Sequence, residues 1–183
     1  MKNLLLLSYL LLSIASAQAQ GRLELKANVL PIAILSRAEL SGEYLLSSRI
    51  GIEAGVGYEW ENLSLSEPFM MNNGAREIRK SRLMNYYLSG KYYFFPKNGG
   101  DRLFTGILLH HQYYLSRTIN GQAAEKPDPV TSFGIEPGYK WTIKKRFVAE
   151  TGIRWLISWS EVSLGGKIFD LDMVINGKIG YRF

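Results

Sequence analysis

The sequence predicts an all-β protein, a closed antiparallel eight-stranded transmembrane β-barrel behind a cleaved N-terminal signal peptide. Three observations predict it. The chain opens on an apolar leader, eight later segments alternate apolar and polar residues, and the links between those segments alternate between short and longer. Alternation with a period of two indicates strands whose two faces meet different surroundings.

The beginning of the chain has the pattern of an export signal. A short basic start precedes the apolar run 4–14, and small residues at alternate positions offer cleavage after Ala17 or Ala19. The apolar run is shorter than the roughly 20 residues that a spanning helix needs. We therefore predict a signal peptide over 1–19 and a barrel over 20–183.

The last segment has the clearest alternation. Over residues 169–183 one parity is apolar and the other carries acids, bases and amides. A strand of this length exceeds the usual soluble strand of about 5–6 residues and suits a tilted strand that crosses a bilayer. In chain order the predicted strands are 23–29, 39–44, 50–60, 82–95, 102–116, 132–143, 147–158 and 169–183.

Three of these strands have irregular features. Segments 82–95 and 102–116 alternate less regularly than the others, and segment 82–95 carries aromatic residues on both faces. Pro137 lies inside a predicted strand, where it has no backbone N–H to donate to the ladder. We expect a β-bulge or a register break at Pro137.

The connections fit a barrel with an even number of strands. Counted from a periplasmic N-terminus, the periplasmic links 47–49, 96–101 and 144–146 are short. The external links 61–81 and 117–129 are long, as in outer-membrane barrels. The first and last external links are short at 35–38 and intermediate at 160–168. Closure is expected because each unpaired backbone group in lipid costs several kcal/mol.

The apolar parity includes aromatic rings suited to the membrane–water interfaces. The predicted girdle residues are Tyr58, Trp60, Tyr86, Tyr92, Phe94, Tyr139, Trp141, Trp155 and Trp159. The alternative is a soluble, exported lipocalin-like barrel or sandwich, in which the apolar parity would face a core and the charged parity water.

The charged parity predicts a polar lumen. An eight-stranded barrel is only wide enough for side chains to fill it, and charges placed there must pair. Acids outnumber bases on this parity, so we expect some protonated or water-bridged carboxylates; a gated cation-selective pore is the alternative. The inward charged residues are Glu24, Lys26, Glu39, Glu43, Glu53, Glu59, Lys91, Glu136, Lys140, Glu150, Arg154, Asp170, Asp172, Lys178 and Arg182.

Catalysis has weak support in the sequence. Small barrels that deacylate lipid A use a Ser/His/acid arrangement, and His110 and His111 are the only histidines. Ser116 shares a parity with His110 but lies about 20 Å along the strand at roughly 3.3 Å per residue. Ser132 could lie nearer on another strand, and His111 fits the outer girdle. We expect no enzyme; an outer-leaflet lipid-modifying enzyme stays open.

Composition excludes several other classes of protein. The chain has no cysteine, which excludes disulfide scaffolds and thiolate metal sites. Neither a phosphate-binding loop nor a metal-ligand pattern is present, so no cofactor is expected. The formal net charge of +6 is compatible with nucleic acid, but export makes that contact implausible.

A basic cluster in and after the longest external loop is the most suggestive surface feature. Arg76, Arg79, Lys80 and Arg82 could hold the phosphates of lipopolysaccharide or another anionic glycan. The alternative is a solvated basic loop. In the same loop the apolar run 68–71 could contact a partner or the membrane.

The chain end resembles the C-terminal signal of outer-membrane barrels, with Tyr181 and Phe183 in the apolar parity. That resemblance implies insertion by the barrel assembly machinery. Segments 25–30, 39–44 and 50–53 resemble small outer-membrane barrels of a family of unknown function, akin in architecture to the OmpA and OmpX type. The resemblance implies a Gram-negative outer membrane, and we expect a non-catalytic structural or surface-interaction role there.

Overall fold

The described part of the chain covers most of the barrel. The computed structural model describes residues 23–30, 37–65, 78–119, 121–125, 128–161 and 167–183. Within these ranges, only the backbone is described for residues 61–65, 78–80, 119, 159–161 and 167–170. The expected signal peptide lies outside the described residues. The described residues include no helix long and apolar enough to cross a membrane.

Eight long or medium strands form the wall of the barrel, and their bounds follow the predicted segments closely. The strands are β1 (Leu23–Asn28), β2 (Arg37–Leu45), β3 (Ile50–Leu65), β4 (Ile78–Tyr93), β5 (Arg102–Ile119), β6 (Val130–Ile143), β7 (Phe147–Glu161) and β8 (Lys167–Arg182). A further two-residue strand, Gln122–Ala123, pairs with the end of β5 outside the wall proper.

The sheet is closed. Each strand pairs antiparallel with the next in sequence, and β8 pairs with β1 through Leu25–Tyr181 and Ala27–Ile179. The prediction of an all-β, closed, eight-stranded antiparallel barrel is therefore confirmed.

The strands are strongly staggered around the barrel. From Glu24 the register leads through Glu43, Glu53, Ser89, Leu108, Gly134 and Leu156 to Asp172 in β8. Glu24 itself pairs with Arg182, ten residues further along β8. A stagger of this size tilts the strands and leaves an interior that side chains fill. It also brings residues of different strands to a common height.

The outer face of the wall is apolar and the inner face is charged, which is the reverse of a soluble barrel. Among the described residues, 31 large hydrophobic side chains are exposed and only eight are buried. Leu40 is 63% exposed and Ile107 is 73% exposed, whereas Glu53 and Lys140 are fully buried. The apolar parity does not face a core, so the soluble arrangement is excluded.

The aromatic residues expected at the interfaces lie mainly on this apolar face. Tyr58, Trp60, Tyr86, Tyr92, Tyr139, Trp141 and Trp155 are exposed there. Phe94 is half-buried in the turn after β4, and the side chain of Trp159 is outside the described part.

Pro137 interrupts a ladder without shifting it. Pairing between β6 and β7 stops after Ile135–Trp155 and resumes at Gly138–Gly152 in the same register. The expected bulge or register break was wrong, because Pro137 lacks the donor but keeps an extended backbone that spans the gap. The observed irregularities lie elsewhere, after Glu59 in the β3–β4 pair and after Arg82 in the β4–β5 pair.

Candidate functional site

The lumen is filled by charged side chains whose charges cancel. Among the described residues it buries seven acids and seven bases, each exposed by 8% or less. They are Glu24, Glu39, Glu43, Glu53, Glu59, Glu136 and Glu150 with Lys26, Arg37, Lys91, Lys140, Arg154, Lys178 and Arg182. The expected excess of acid is not found among these residues, because Arg37 adds a base, Asp172 is exposed at the long-loop end of β8 and the side chain of Asp170 is not among the described ones.

Lys26 is the centre of the network. Its Nζ donates hydrogen bonds to Glu43 Oε2 at 2.5 Å, to Glu53 Oε2 at 2.7 Å and to Glu150 Oε2 at 2.8 Å. These three acceptors come from β2, β3 and β7. One ammonium group therefore ties three strands to β1 across the lumen, using all three of its donors.

Three more lysines complete the pairing around this centre. Lys91 Nζ lies 2.6 Å from Glu53 Oε2 and 2.5 Å from Glu150 Oε1. Lys178 Nζ donates to Glu53 Oε1 at 2.7 Å and to Glu150 Oε1 at 3.2 Å. Lys140 Nζ donates to Glu43 Oε2 at 3.1 Å and to Glu24 at 3.0 Å. The buried carboxylates are thereby shared between bases, which satisfies their lone pairs.

Aromatic rings pack between the charges. The Tyr87 hydroxyl donates to Glu53 at 2.5 Å, and the Tyr93 hydroxyl donates to Glu43. The Arg154 guanidinium lies 4.1 Å from the centre of the Tyr87 ring, and the Lys140 ammonium lies 4.4 Å from that of Tyr93. These cation–π contacts fill the space between ion pairs and leave little room for a continuous water path.

A second ionic level lies on the long-loop side of this centre. Arg154 donates to Glu136 at 3.0 Å and to both carboxylate oxygens of Glu39, at 3.1 and 3.2 Å. Arg37 also donates to Glu39, at 2.7 Å. Asn176 of β8 also belongs to this level, since its side-chain amide donates to Glu136 of β6 at 3.2 Å.

Beyond the second level lies a pocket of polar atoms without protein partners. Arg37 Nε, both side-chain polar atoms of Asn85 and both ring nitrogens of His110 are buried and accept or donate no hydrogen bond among the described residues. Gly57 borders this pocket, since a Cβ there would lie 3.5 Å from Arg37 Nε and 3.6 Å from Asn85 Cβ. Buried polar groups are normally satisfied, so this pocket is the part of the lumen suited to water.

The opposite end of the lumen is closed by a turn. Arg182 donates to Glu24 at 2.5 and 2.8 Å and also to the carbonyls of Asn98 and Gly99, each at 2.8 Å. Asp101 accepts from the backbone N–H groups of Lys97 and Asn98. The turn between β4 and β5 is thus held over the mouth by the second-last residue of the chain.

The structure brings together most of the residues predicted for the lumen. Asp172 lies on β8 but is exposed, and the side chain of Asp170 is outside the description. The sequence reasoning did not include Arg37, Asn28, Asn176, Tyr87 and Tyr93 in the network. Their parity was a usable signal, since each shares the inward face of its strand with a predicted member.

Three carboxylates converge as a metal site would require, but bases occupy the space between them. Oxygen atoms of Glu43, Glu53 and Glu150 lie within 4.8 Å of one another. The Lys26 ammonium donates to all three, so it takes the position and charge that a bound cation would supply.

The histidines form no catalytic arrangement with serine in the described residues. His110 faces Ser132 across the β5–β6 ladder, yet neither of its ring nitrogens has a hydrogen-bond partner. His111 lies on the outer face, with Nδ1 2.9 Å from Thr131 Oγ1. Ser116 is exposed and pairs with Arg82, next to the register shift of the β4–β5 ladder.

The basic cluster is only partly within the described residues. Arg76 lies outside them, Arg79 and Lys80 belong to β4 but only their backbone is described, and Arg82 is exposed.

The residues of the predicted barrel-assembly signal lie at the other end of the barrel. Tyr181 and Phe183 stack edge to face with ring centres 5.0 Å apart, and Arg146 Nη1 donates to the Tyr181 hydroxyl at 3.0 Å.

Comparisons with known proteins place the chain in a family. No curated protein sequence matches it. Its structure is similar to the N-terminal β-barrel domain of Pseudomonas aeruginosa OprF (16% identity, 89% of this chain and 98% of that chain, TM-score 0.49). It is also similar to the Yersinia pestis outer membrane protein Ail (13% identity, 89% and 99% covered, TM-score 0.32). Residues 4–156 match the family described as "Protein of unknown function (DUF3575)", and the chain therefore belongs to that family.

Proposed function

We propose that this protein is a non-catalytic barrel of the outer membrane, with a filled lumen and a structural or surface-interaction role. The observation that carries the proposal is the polarity of the wall, whose exposed face is apolar around the barrel while the ion pairs are inside. An apolar surface that surrounds a protein is unstable in water and suits acyl chains. The short turns would then face the periplasm and the longer loops the exterior.

Fractionation of the envelope tests the membrane location. The mature protein is expected to stay in the membrane pellet after extraction with alkaline carbonate. On a density gradient it should co-sediment with outer-membrane markers. A protein that appears in the carbonate supernatant would contradict the proposal. The same gradient distinguishes the outer from the inner membrane.

The absence of a serine contact to His110 supports a non-catalytic role. Incubation of the purified protein with lipopolysaccharide is expected to release no acyl chains, as measured by mass spectrometry of the lipid. Acyl release that is lost in His110→Ala or in His111→Ala would identify the outer-leaflet enzyme instead. A pore is the other alternative, and conductance measurements test it below.

The external loops are the proposed site of surface interaction. The cluster Arg76, Arg79, Lys80 and Arg82 has the charge to bind phosphates of lipopolysaccharide by charge-assisted hydrogen bonds. We expect salt-sensitive binding of lipopolysaccharide that weakens when Arg76, Arg79 and Lys80 are replaced by glutamine. Binding unchanged by those replacements would favour the solvated basic loop.

A further inference from the structure

Among the described residues, exposed positive charge is concentrated at one end of the barrel, the short-turn rim, formed by turns 46–49, 94–101 and 144–146. All exposed charged side chains of these turns and of the adjoining strand end are basic: Arg49, Lys97, Arg102, Lys144, Lys145 and Arg146. The one acid, Asp101, is 4% exposed and accepts backbone hydrogen bonds within its turn. The lumen, by contrast, is neutral.

The opposite rim has a mixed charge in the described residues. Arg82 and Arg117 lie there together with Glu125, Asp128 and Asp172. Among the described residues, the short-turn rim therefore exposes basic side chains without exposed acids, and such a rim attracts anions.

The basic side chains lie at the border of the apolar face. Arg102 precedes Leu103, Lys144 follows Ile143 and Arg146 precedes Phe147, and these apolar neighbours are between 51% and 56% exposed. The rim also carries Phe95, 79% exposed, in the same turn as Lys97. An apolar belt edged by cations matches the depth at which acyl chains end and lipid phosphates begin.

The charges belong to all three short turns and so surround the barrel. A protein partner docks on one side, whereas a lipid leaflet contacts the whole circumference. We infer that the short-turn rim binds the phosphates of anionic phospholipids in the leaflet that faces the periplasm. This inference rests on the proposed membrane insertion and adds the lipid class that the rim selects.

The turn between β6 and β7 allows the charge to be tested apart from the fold. Lys144 and Lys145 both have positive φ, 50° and 62°, and are the central residues of a turn closed by the Arg146 N–H, which donates to the Ile143 carbonyl at 3.2 Å. Such turns favour Asn-Gly, which adopts these angles at lower cost than two lysines. Lys144→Asn with Lys145→Gly therefore removes two charges from the rim while improving the local backbone.

The experiment measures lipid selection by the inserted barrel. The full mature protein is reconstituted into nanodiscs of phosphatidylcholine and phosphatidylglycerol in equal parts, and retained lipids are counted by native mass spectrometry. Wild type is expected to retain phosphatidylglycerol preferentially. The preference should fall about tenfold in the Asn-Gly variant, stay unchanged in Lys144→Arg with Lys145→Arg, and weaken with added salt.

Several outcomes overturn the inference. A wild type without preference, or an Asn-Gly variant that keeps the preference, contradicts it. An equal loss in Arg82→Gln with Arg117→Gln would move the site to the other rim. Lysine-dependent binding to isolated peptidoglycan, without lipid preference, would assign the rim to the cell wall. Failure to enter nanodiscs at all, seen as aggregation on size exclusion, contradicts the proposed membrane role instead.

Discussion

Each carboxylate of the lumen is stable because several bases share it. Glu53 accepts hydrogen bonds from Lys26, Lys178 and the Tyr87 hydroxyl at 2.5 to 2.7 Å, and it forms an ion pair with Lys91 at 2.6 Å. Removal of one acid leaves the fully buried network with an uncompensated positive charge, which is more costly than removal of a matched pair.

We expect Glu53→Gln to lower the free energy of unfolding by about 3–5 kcal/mol. Urea titration of the protein in lipid vesicles measures the change. Glu125→Gln, at an exposed acid of the external end, is the matched control and should change it by less than about 0.5 kcal/mol. The double variant Glu53→Gln with Lys178→Gln restores neutrality and should be less destabilised than the sum of the two single variants. Additive losses would contradict the shared network.

The unpartnered atoms around His110 predict water on the long-loop side of the ionic levels, and Ser89 Oγ, which also has no hydrogen-bond partner, lies deeper along β4. The chain has no cysteine, so single cysteines can be labelled without background. A small methanethiosulfonate reagent added outside should modify Ser116→Cys fast and His110→Cys slowly. It should leave Ser89→Cys unmodified, because Tyr87 and Arg154 lie between Ser89 and the exterior. Rapid labelling of Ser89→Cys would show an open lumen.

At the scale of the strands, glycines permit close approach where the wall curves. A Cβ on Gly134 in β6 would overlap the backbone oxygen of Trp155 in β7 and lie 2.9 Å from Leu156 Cδ2. Gly90 in β4 has no atom within 4 Å of the corresponding position. The two positions therefore differ in space although both lie inside strands.

Gly134→Ala is expected to destabilise the barrel by about 1–3 kcal/mol, because the backbone of β7 must shift. Gly90→Ala should be neutral or stabilising by up to about 1 kcal/mol, since it meets no atom and restricts the unfolded chain. Thermal unfolding, followed by the loss of the compact form on unheated gels, compares the two. Equal effects would mean that the β6–β7 approach is not tight.

At the scale of the whole molecule, the filled lumen predicts that the barrel does not conduct ions across a membrane. The ionic levels, the Tyr87 and Tyr93 rings and the turn held by Arg182 occupy the lumen from its centre to the short-turn rim. Protein added to planar bilayers should give no steady current, with a conducting porin in the same bilayers as the positive control. Steady open-channel currents would contradict the filled lumen and favour the pore.

The sequence by itself determined which face of each strand is apolar and how many strands form the wall, and the strand lengths favoured charge on the inside. A period of two is a local property, and alternate side chains must point to opposite faces whatever the rest of the chain does. The parity therefore predicted Glu53 and Lys178 as inward residues and Leu40 and Ile107 as outward ones.

Only the tertiary structure decided which charges meet. Lys26 binds acids that lie 17, 27 and 124 positions away in sequence, and these contacts depend on the stagger of ten residues that accumulates once around the barrel. Parity assigns a side chain to a face but not to a height, so it could not separate exposed Asp172 from buried Lys178 on the same strand. Height follows from strand tilt and closure, which are properties of the whole barrel.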